Sequence, residues 1–228
     1  MTTLSSHATF VKRILLFSSQ WVLANVLFLL TVKNARTFAS DSVGLILLAV
    51  LNILWLVPII GEAKVEENKV RIRGMRWCYN LWMGVMLLDL LVAAYDYSHN
   101  RLGQSSTSKF EVLAGLILIC VGFILSFIAW LSIREYVSPQ FQIIEGHRIV
   151  DRGVYRWIRH PIYTSFFLIA AGVPILAHSV TGLVALTLIV TPVWLYVIRK
   201  EEEFLLTNLG KDYRAYMRRT KRLIPFVY

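Results

Sequence analysis

The sequence predicts an all-α protein, a polytopic membrane helix bundle of about six spans. Three observations predict it. Of the 228 residues, 57% are hydrophobic and only 17% are charged. The mean hydropathy is +0.59, more apolar surface than one water-facing core of this length can hide. Six segments approach the ~20 apolar residues that a membrane helix needs. Finally, the basic residues are distributed one-sidedly around those segments. The same composition excludes a disordered or low-complexity chain, which would be poor in apolar residues.

The first segment, Ile14–Val32, follows Lys12 and Arg13 and has the outline of a secretory leader. It is long for one, carries Gln20 and Asn25, and is followed by no small-residue cleavage site, so it is expected to be an anchor. Ser42–Ile60, Trp77–Tyr95 and Glu111–Ile133 follow as ordinary spans. Pro161–His178 and Gly182–Ile198 are shorter and only a few residues apart, which predicts a helical hairpin. Beyond Ile198 the helix is expected to continue with Leu205, Leu206 and Leu209 on one stripe. Gly210 is the expected stop, and Lys211-Asp212-Tyr213 opens a further amphipathic piece, so the C-terminal segment is helical and cytosolic. No internal repeat suggests a two-half transporter.

With the N-terminus inside, only Lys33, Arg36, Arg101 and Lys109 of the 24 basic residues fall outside, and none falls within a span. This asymmetry predicts that both termini are cytosolic, in the endoplasmic reticulum of a eukaryote or the plasma membrane of a prokaryote. It accounts for much of the net charge of +10, with some attraction to anionic headgroups. No basic patch lies on a soluble module, so no nucleic-acid partner is expected. Cys78 and Cys120 sit in apolar runs without His or Cys at ligand spacing, so neither a disulfide framework nor a metal site is expected.

The chemistry concentrates in two cytosolic stretches. Asp89 is the one acid well inside a span; a ligand contact and a structural hydrogen bond are both readings of it, and its isolation favours the second. In 134–163, Ile149-Val150 beside Asp151-Arg152-Gly153 predicts a short extended piece and a turn, with Gly153 the permissive residue. Pro161 suits the first turn of a helix. Arg159-His160 then sits at a helix N-terminus whose free N–H groups and dipole favour an anion. The alternative is that Arg156 and Arg159 anchor to headgroups while His160 caps the helix. The second stretch is Arg199-Lys200-Glu201-Glu202-Glu203. Glu201 and Glu202 stand four residues before Leu205 and Leu206, which turns both inward and leaves Glu203 towards solvent. They either hold an amine or ribose hydroxyls, or end the span as a charge run paired with Arg199 and Lys200.

His147-Arg-Ile-Val150, Gly153-Val-Tyr155 and Arg159-His-Pro-Ile-Tyr163 resemble the signature of the isoprenylcysteine carboxyl methyltransferase family, one of the integral-membrane phospholipid methyltransferases. Glu201-Glu202, Leu205, Leu209-Gly210, Tyr213, Tyr216 and Pro225 follow in the same order and spacing. The resemblance covers roughly 140–226 and divides the chain into a four-span membrane region, 1–133, and a methyltransferase core, 134–228.

What the resemblance implies is a methyltransferase using S-adenosylmethionine, bound on the cytosolic side under the C-terminal segment. The implied cofactor contacts are Gln140 (with Gln142 as its alternative), His147, Arg148, Ile149, Val150, Tyr155, His160, Pro161, Ile162, Tyr163 and Glu201. Arg199 and Glu202 are the implied catalytic residues, Arg199 on the substrate carboxylate, although Arg199 stands only two residues before Glu201. Ser165 replaces the family's glycine. The implied acceptor is the carboxylate of a prenylated cysteine or a similar lipophilic acid, reached from the membrane lipid. Three other readings remain: an amine or thiol acceptor, with Glu202 as base for the amine; an NADPH-dependent sterol reductase, which shares an Arg-His-Pro-x-Tyr element; and a non-enzymatic scaffold.

Overall fold

The computed structural model describes residues 18–62, 70–72, 75–101, 108–133, 143–144, 149–225 and 227. The fold is all-helical apart from one short ladder. Its elements are α1 (Ser18–Thr31), α2 (Ala35–Ser40), α3 (Ser42–Glu62), α4 (Arg76–Asp96), α5 (Lys109–Ile133), α6 (Pro161–Leu176), α7 (Val180–Ala185) and α8 (Thr191–Arg219). Strands β1 (Val70–Ile72) and β2 (Ile143–Ile144) pair antiparallel, Val70 opposite Ile144 and Ile72 opposite Ile143. A π turn, Leu186–Val190, joins α7 to α8, so the helical run is continuous from Val180 to Arg219.

Each expected apolar segment is helical where the structure describes it, though residues 14–17 of the first lie outside the described residues. Among the described residues, three runs are long and apolar enough to cross a membrane: Arg76–Asn100, Lys109–Ile133 and Val180–Arg219. Three apolar helices are shorter: Ser18–Thr31, Ser42–Trp55 and Pro161–Leu176. Large apolar side chains cover the outside of the bundle, with Phe110 78%, Ile124 60% and Phe127 60% exposed on α5 alone. A water-soluble surface does not tolerate such a patch; a lipid-facing one requires it.

The caps explain where several helices begin. Asn34 accepts the Thr37 N–H at the start of α2, and Ser179 accepts the Gly182 N–H at the start of α7. Asp41 accepts from the N–H groups of Val43 and Gly44 at the start of α3. Pro161 occupies the first turn of α6 as expected. These are the unpaired donors every helix start must satisfy.

Helices α5 and α6 are antiparallel, and three glycines bring their backbones together. A Cβ added at Gly115 would stand 2.5 Å from the Leu176 nitrogen, and one at Gly122 would stand 2.7 Å from the Ser165 carbonyl oxygen. One at Gly172 would stand 2.7 Å from the Gly115 carbonyl oxygen. Small residues that permit close approach are the usual adhesive of helices in lipid, where apolar side chains gain nothing by leaving their surroundings.

One continuous buried core runs from Ala24 in α1 to Leu223 beyond α8, centred on Trp82, Phe166, Ile169, Val173, Trp194 and Ile198. At the end remote from the α6 N-terminus, the turn into α7 is tied to α4. Ser179 and Thr181 donate to Asp96 at 2.8 and 2.7 Å. His178, with φ +52, pairs with Glu111 of α5.

Gly153 is the permissive residue expected, with φ 60 at the start of the 3₁₀ turn Gly153–Arg156. Two expectations are corrected. Gly210 does not stop the helix. It takes φ 55 and ψ −120, a kink through which helical structure resumes to Arg219, and no atom crowds its Cβ position. Asp89 makes no structural hydrogen bond: it is fully buried in α4, and both carboxylate oxygens lack a partner.

Candidate functional site

The site forms where the start of α6, the middle of α8 and the chain beyond α8 meet. Glu202 is its centre. Arg159 Nε donates to Glu202 Oε1 at 2.9 Å, and His160 Nε2 stands 3.2 Å from the same oxygen. Arg222 reaches the other oxygen, with NH2 at 2.6 Å and Nε at 3.1 Å. Burial opposes the charge on Glu202, but the hydrogen bonds from His160, Arg222 and Arg159 outweigh it and hold the carboxyl well below the usual range.

The residues after α8 make this possible. Thr220–Leu223 returns alongside the approach to α6, and Ile158 and Lys221 form a parallel bridge. Arg159 N–H donates to the Lys221 carbonyl at 2.7 Å, His160 N–H to the Arg222 carbonyl at 3.1 Å, and Lys221 N–H to the Trp157 carbonyl at 3.0 Å. The Thr164 hydroxyl donates to the Leu223 carbonyl at 2.8 Å, and Arg159 NH1 to the Thr220 and Met217 carbonyls at 2.5 and 3.1 Å. Arg159 therefore turns inward and is no headgroup anchor, whereas Arg156 stays outside over the Trp157 ring. His160 is at the N-cap position but makes no side-chain cap; its ring goes to the glutamates.

Glu201 is the counterpart with capacity to spare. Its side chain is 18% exposed, Oε2 lies 3.8 Å from His160 Nδ1, and that buried oxygen has no hydrogen-bond partner. Burial raises its pKa, and the nearby His160 charge only partly offsets this. The Tyr163 hydroxyl faces Glu201 as its hydrogen-bonding neighbour and, like His160, works against the effect of burial on that carboxyl, although the two do not reach full hydrogen-bond geometry.

Tyr155, Tyr213 and Tyr216 complete the surround, all buried. Tyr216 donates to the Tyr155 carbonyl at 2.8 Å, which fixes the 3₁₀ turn Gly153–Arg156 beneath α8. The kink at Gly210 lets the last turns of α8 lean over the site, so that Tyr213 comes within electrostatic range of both Glu201 and Glu202. Burial, then the Glu201 charge, pushes the Tyr155 and Tyr213 hydroxyls up, so both are neutral phenols.

Of the residues implied by the resemblance, the structure brings together Tyr155, His160, Pro161, Tyr163, Glu201 and Glu202. Ile162 is half-buried against the core, and Ile149 and Val150 are half-buried ahead of the 3₁₀ turn. Gln140, Gln142, His147 and Arg148 lie outside the described residues. Arg199 does not join them. It is exposed on α8, as are Tyr196 and Glu203, and makes no ion pair among the described residues. Lys200 pairs with Glu203 at 2.7 Å, so the bland charge-run pairing holds for Glu203 and not for the inward glutamates. Sequence reasoning missed Arg222, whose place at the end of the basic run Arg218-Arg219-Thr220-Lys221-Arg222 does not set it apart from its neighbours. It also missed the contribution of α4. Cys78 and Trp82 lie in the turns of α4 that face this site. Cys78 is within electrostatic range of Glu201, and the Trp82 ring packs 5.3 Å from that of Tyr163.

Known proteins share this part of the chain. Residues 115–207 match the model of the isoprenylcysteine carboxyl methyltransferase family. The protein-S-isoprenylcysteine O-methyltransferase of Saccharomyces cerevisiae is 33% identical over 144 residues, covering 62% of this chain and 60% of that protein. Protein-S-isoprenylcysteine O-methyltransferase A of Arabidopsis thaliana is 31% identical over 115 residues, 50% of this chain and 58% of its own length. A probable protein-S-isoprenylcysteine O-methyltransferase of Oryza sativa subsp. indica is 27% identical over 120 residues, 52% and 63% respectively. The chain thus spans about three-fifths of the length of these curated relatives. The matched segment begins at the glycine seam of α5 and contains His160, Tyr163 and both inward glutamates, so the likeness to the isoprenylcysteine carboxyl methyltransferase family falls on the site itself.

Proposed function

We propose that the protein is an integral-membrane, S-adenosylmethionine-dependent carboxyl methyltransferase. Its acceptor is the carboxylate of a prenylated cysteine or a similar lipophilic acid. The observation that carries this reading is the pair of unsatisfied buried polar groups, Glu201 Oε2 and the Tyr163 hydroxyl, beside His160 among buried tyrosines. A carboxylate without a partner and neutral aromatic rings fit a donor that bears positive charge on sulfur and nitrogen. The relatives' names supply the reaction class.

In this reading Glu201 holds the donor's cationic part, with the rings of Tyr155, Tyr163 and Tyr213 around it. The N–H groups at the start of α6 favour its carboxylate. Gln140, His147, Arg148, Ile149, Val150, Pro161 and Ile162 remain proposed donor contacts. When bound, the donor supplies a methyl group made electrophilic by the sulfonium. The acceptor carboxylate is already ionised at neutral pH, so the chain's task is alignment and exclusion of water rather than proton removal. Glu202 is better read as the fixed post that sets Arg159, His160 and Arg222 than as a base, because two guanidinium groups and an imidazole already occupy it. This weighs against an amine acceptor, which needs a free base. The exposed stripe of α8 leaves Arg199 outside this alignment, at most at an acceptor entrance. Functionally the chain divides near residue 133, with six spans and both termini in the cytosol; the membrane part of α8 ends near Ile198, which puts the glutamates at the cytosolic boundary.

The test is calorimetric titration of detergent-purified protein with S-adenosylmethionine, followed by methyl transfer to a farnesylcysteine analogue. Glu201→Ala and His160→Ala are expected to lose donor binding at least tenfold while remaining folded. Binding of NADPH instead would redirect the reading to lipid reduction.

A further inference from the structure

Trp82 belongs to α4, outside the matched segment, and its place is unusual. It is 8% exposed and stands in a cluster of rings: Phe166 at 4.4 Å, Tyr163 at 5.3 Å, Tyr79 at 6.0 Å and Trp194 at 6.4 Å between centroids. Two buried tryptophans meet here with opposite fates. Trp194 Nε1 donates to the Trp82 carbonyl at 3.2 Å, which locks α8 onto α4. Trp82 Nε1 has no acceptor at all. A buried indole ordinarily finds one, and an unmade hydrogen bond at a dry position costs about 1–3 kcal/mol.

The orphaned donor is not isolated. The Tyr163 ring bridges from Trp82 to His160, 5.6 Å away, and the Tyr163 hydroxyl is also without an acceptor. Two donors without a geometric partner among the described residues, one from α4 and one from α6, therefore sit on neighbouring rings, and the second of them faces Glu201. Trp82 also packs against the apolar rings of Phe166 and Trp194, with Phe167 beyond Trp194. Polar donors beside aromatic rings match a molecule with an anionic head and an apolar body.

We infer that Trp82 is the acceptor-binding residue supplied by the N-terminal half: its indole N–H, together with the Tyr163 hydroxyl, donates to the acceptor's carboxylate, while the rings behind it line the apolar chain. The inference rests on the methyltransferase reading and deepens it. One carboxylate oxygen stays with the donors, and the other forms the new C–O bond to the methyl carbon as the C–S bond breaks. The electron pair of that bond leaves on sulfur, so no proton moves. Holding one oxygen by two neutral donors orients the other without neutralising it.

The experiment measures binding of S-adenosylhomocysteine, of a farnesylcysteine-type acid and of the corresponding methyl ester to wild type and Trp82→Phe. Phenylalanine keeps a ring in the cluster and removes only the N–H; Tyr163→Phe is the parallel variant. We expect acid binding to weaken about 10- to 100-fold in Trp82→Phe, the range for a lost hydrogen bond to a charged group. S-adenosylhomocysteine and ester binding should change less than threefold, and the melting temperature should be maintained. Equal weakening of acid and ester, or unchanged acid binding, would overturn the assignment to Trp82 and leave the methyltransferase reading standing. Absence of S-adenosylhomocysteine binding in wild type would overturn that reading, and this inference with it.

Discussion

Glu202 and Glu201 are adjacent in sequence and opposite in circumstance. Glu202 is a carboxylate with two guanidinium groups and an imidazole on it, so removing its charge strands Arg159 and Arg222. Glu202→Gln should cost about 3–5 kcal/mol, as for breaking one side of a buried ion pair, measured by thermal or denaturant unfolding in detergent. A carboxyl held low in the folded state contributes stability that is fully present above its unfolded pKa of about 4.3 and is lost as pH falls below that. Wild type should therefore lose stability on acidification through that range, and the Gln variant should show a flatter acid limb. Glu201 runs the other way, its pKa raised by burial. A cationic donor needs it ionised, so donor affinity should fall with acidification at a pH above the ordinary glutamate range. Glu201→Gln should abolish that pH dependence. The charge pattern made both glutamates legible as inward-facing in the sequence. Which of them was saturated was not, because Arg222 arrives from twenty residues away through tertiary folding.

At the scale of elements, the α5–α6 pair is fixed by backbone proximity. Gly122→Val should disrupt the seam, since its Cβ meets the Ser165 carbonyl and the Ile169 side chain at 2.7 and 2.6 Å. Overpacking of this kind costs about 1–3 kcal/mol or more. Gly84 of α4 is the control: nothing stands within 4 Å of its Cβ position. Gly84→Ala should stabilise by about 0.5–1 kcal/mol through helix propensity. Comparing the two melting temperatures checks both. Element positions were readable from hydropathy because apolar length alone defines them. The kink at Gly210 was mistaken for an end: glycine announces permissive backbone, but packing of Tyr213 and Tyr216 against the 3₁₀ turn decides whether the helix resumes. The ladder between β1 and β2 was missed, since two- and three-residue strands leave no period to detect.

For the whole molecule, the strongest sequence signal is the basic asymmetry. It predicts that protease added to the cytosolic face of sealed vesicles removes epitope tags from both termini, while the loop holding Arg101 and Lys109 is protected. The three long apolar runs and the exposed apolar face of α5 agree with membrane embedding. Trp82 shows the limit of reading the chain in two halves. Residues 1–114 lie outside the matched segment, yet the continuous core carries α4 against α6 and α8, so the Trp82 ring packs against that of Tyr163.

The return of Thr220–Leu223 alongside the approach to α6 has a consequence for biogenesis. A ribosome makes Arg159, His160 and Glu202 well before Arg222. Through that interval the carboxylate lacks one of its two guanidinium partners, and the bridge between Ile158 and Lys221 does not exist. A nascent chain with every apolar helix already inserted is therefore still without a finished site, and a premature stop after Arg219 would yield a membrane-resident but inert product.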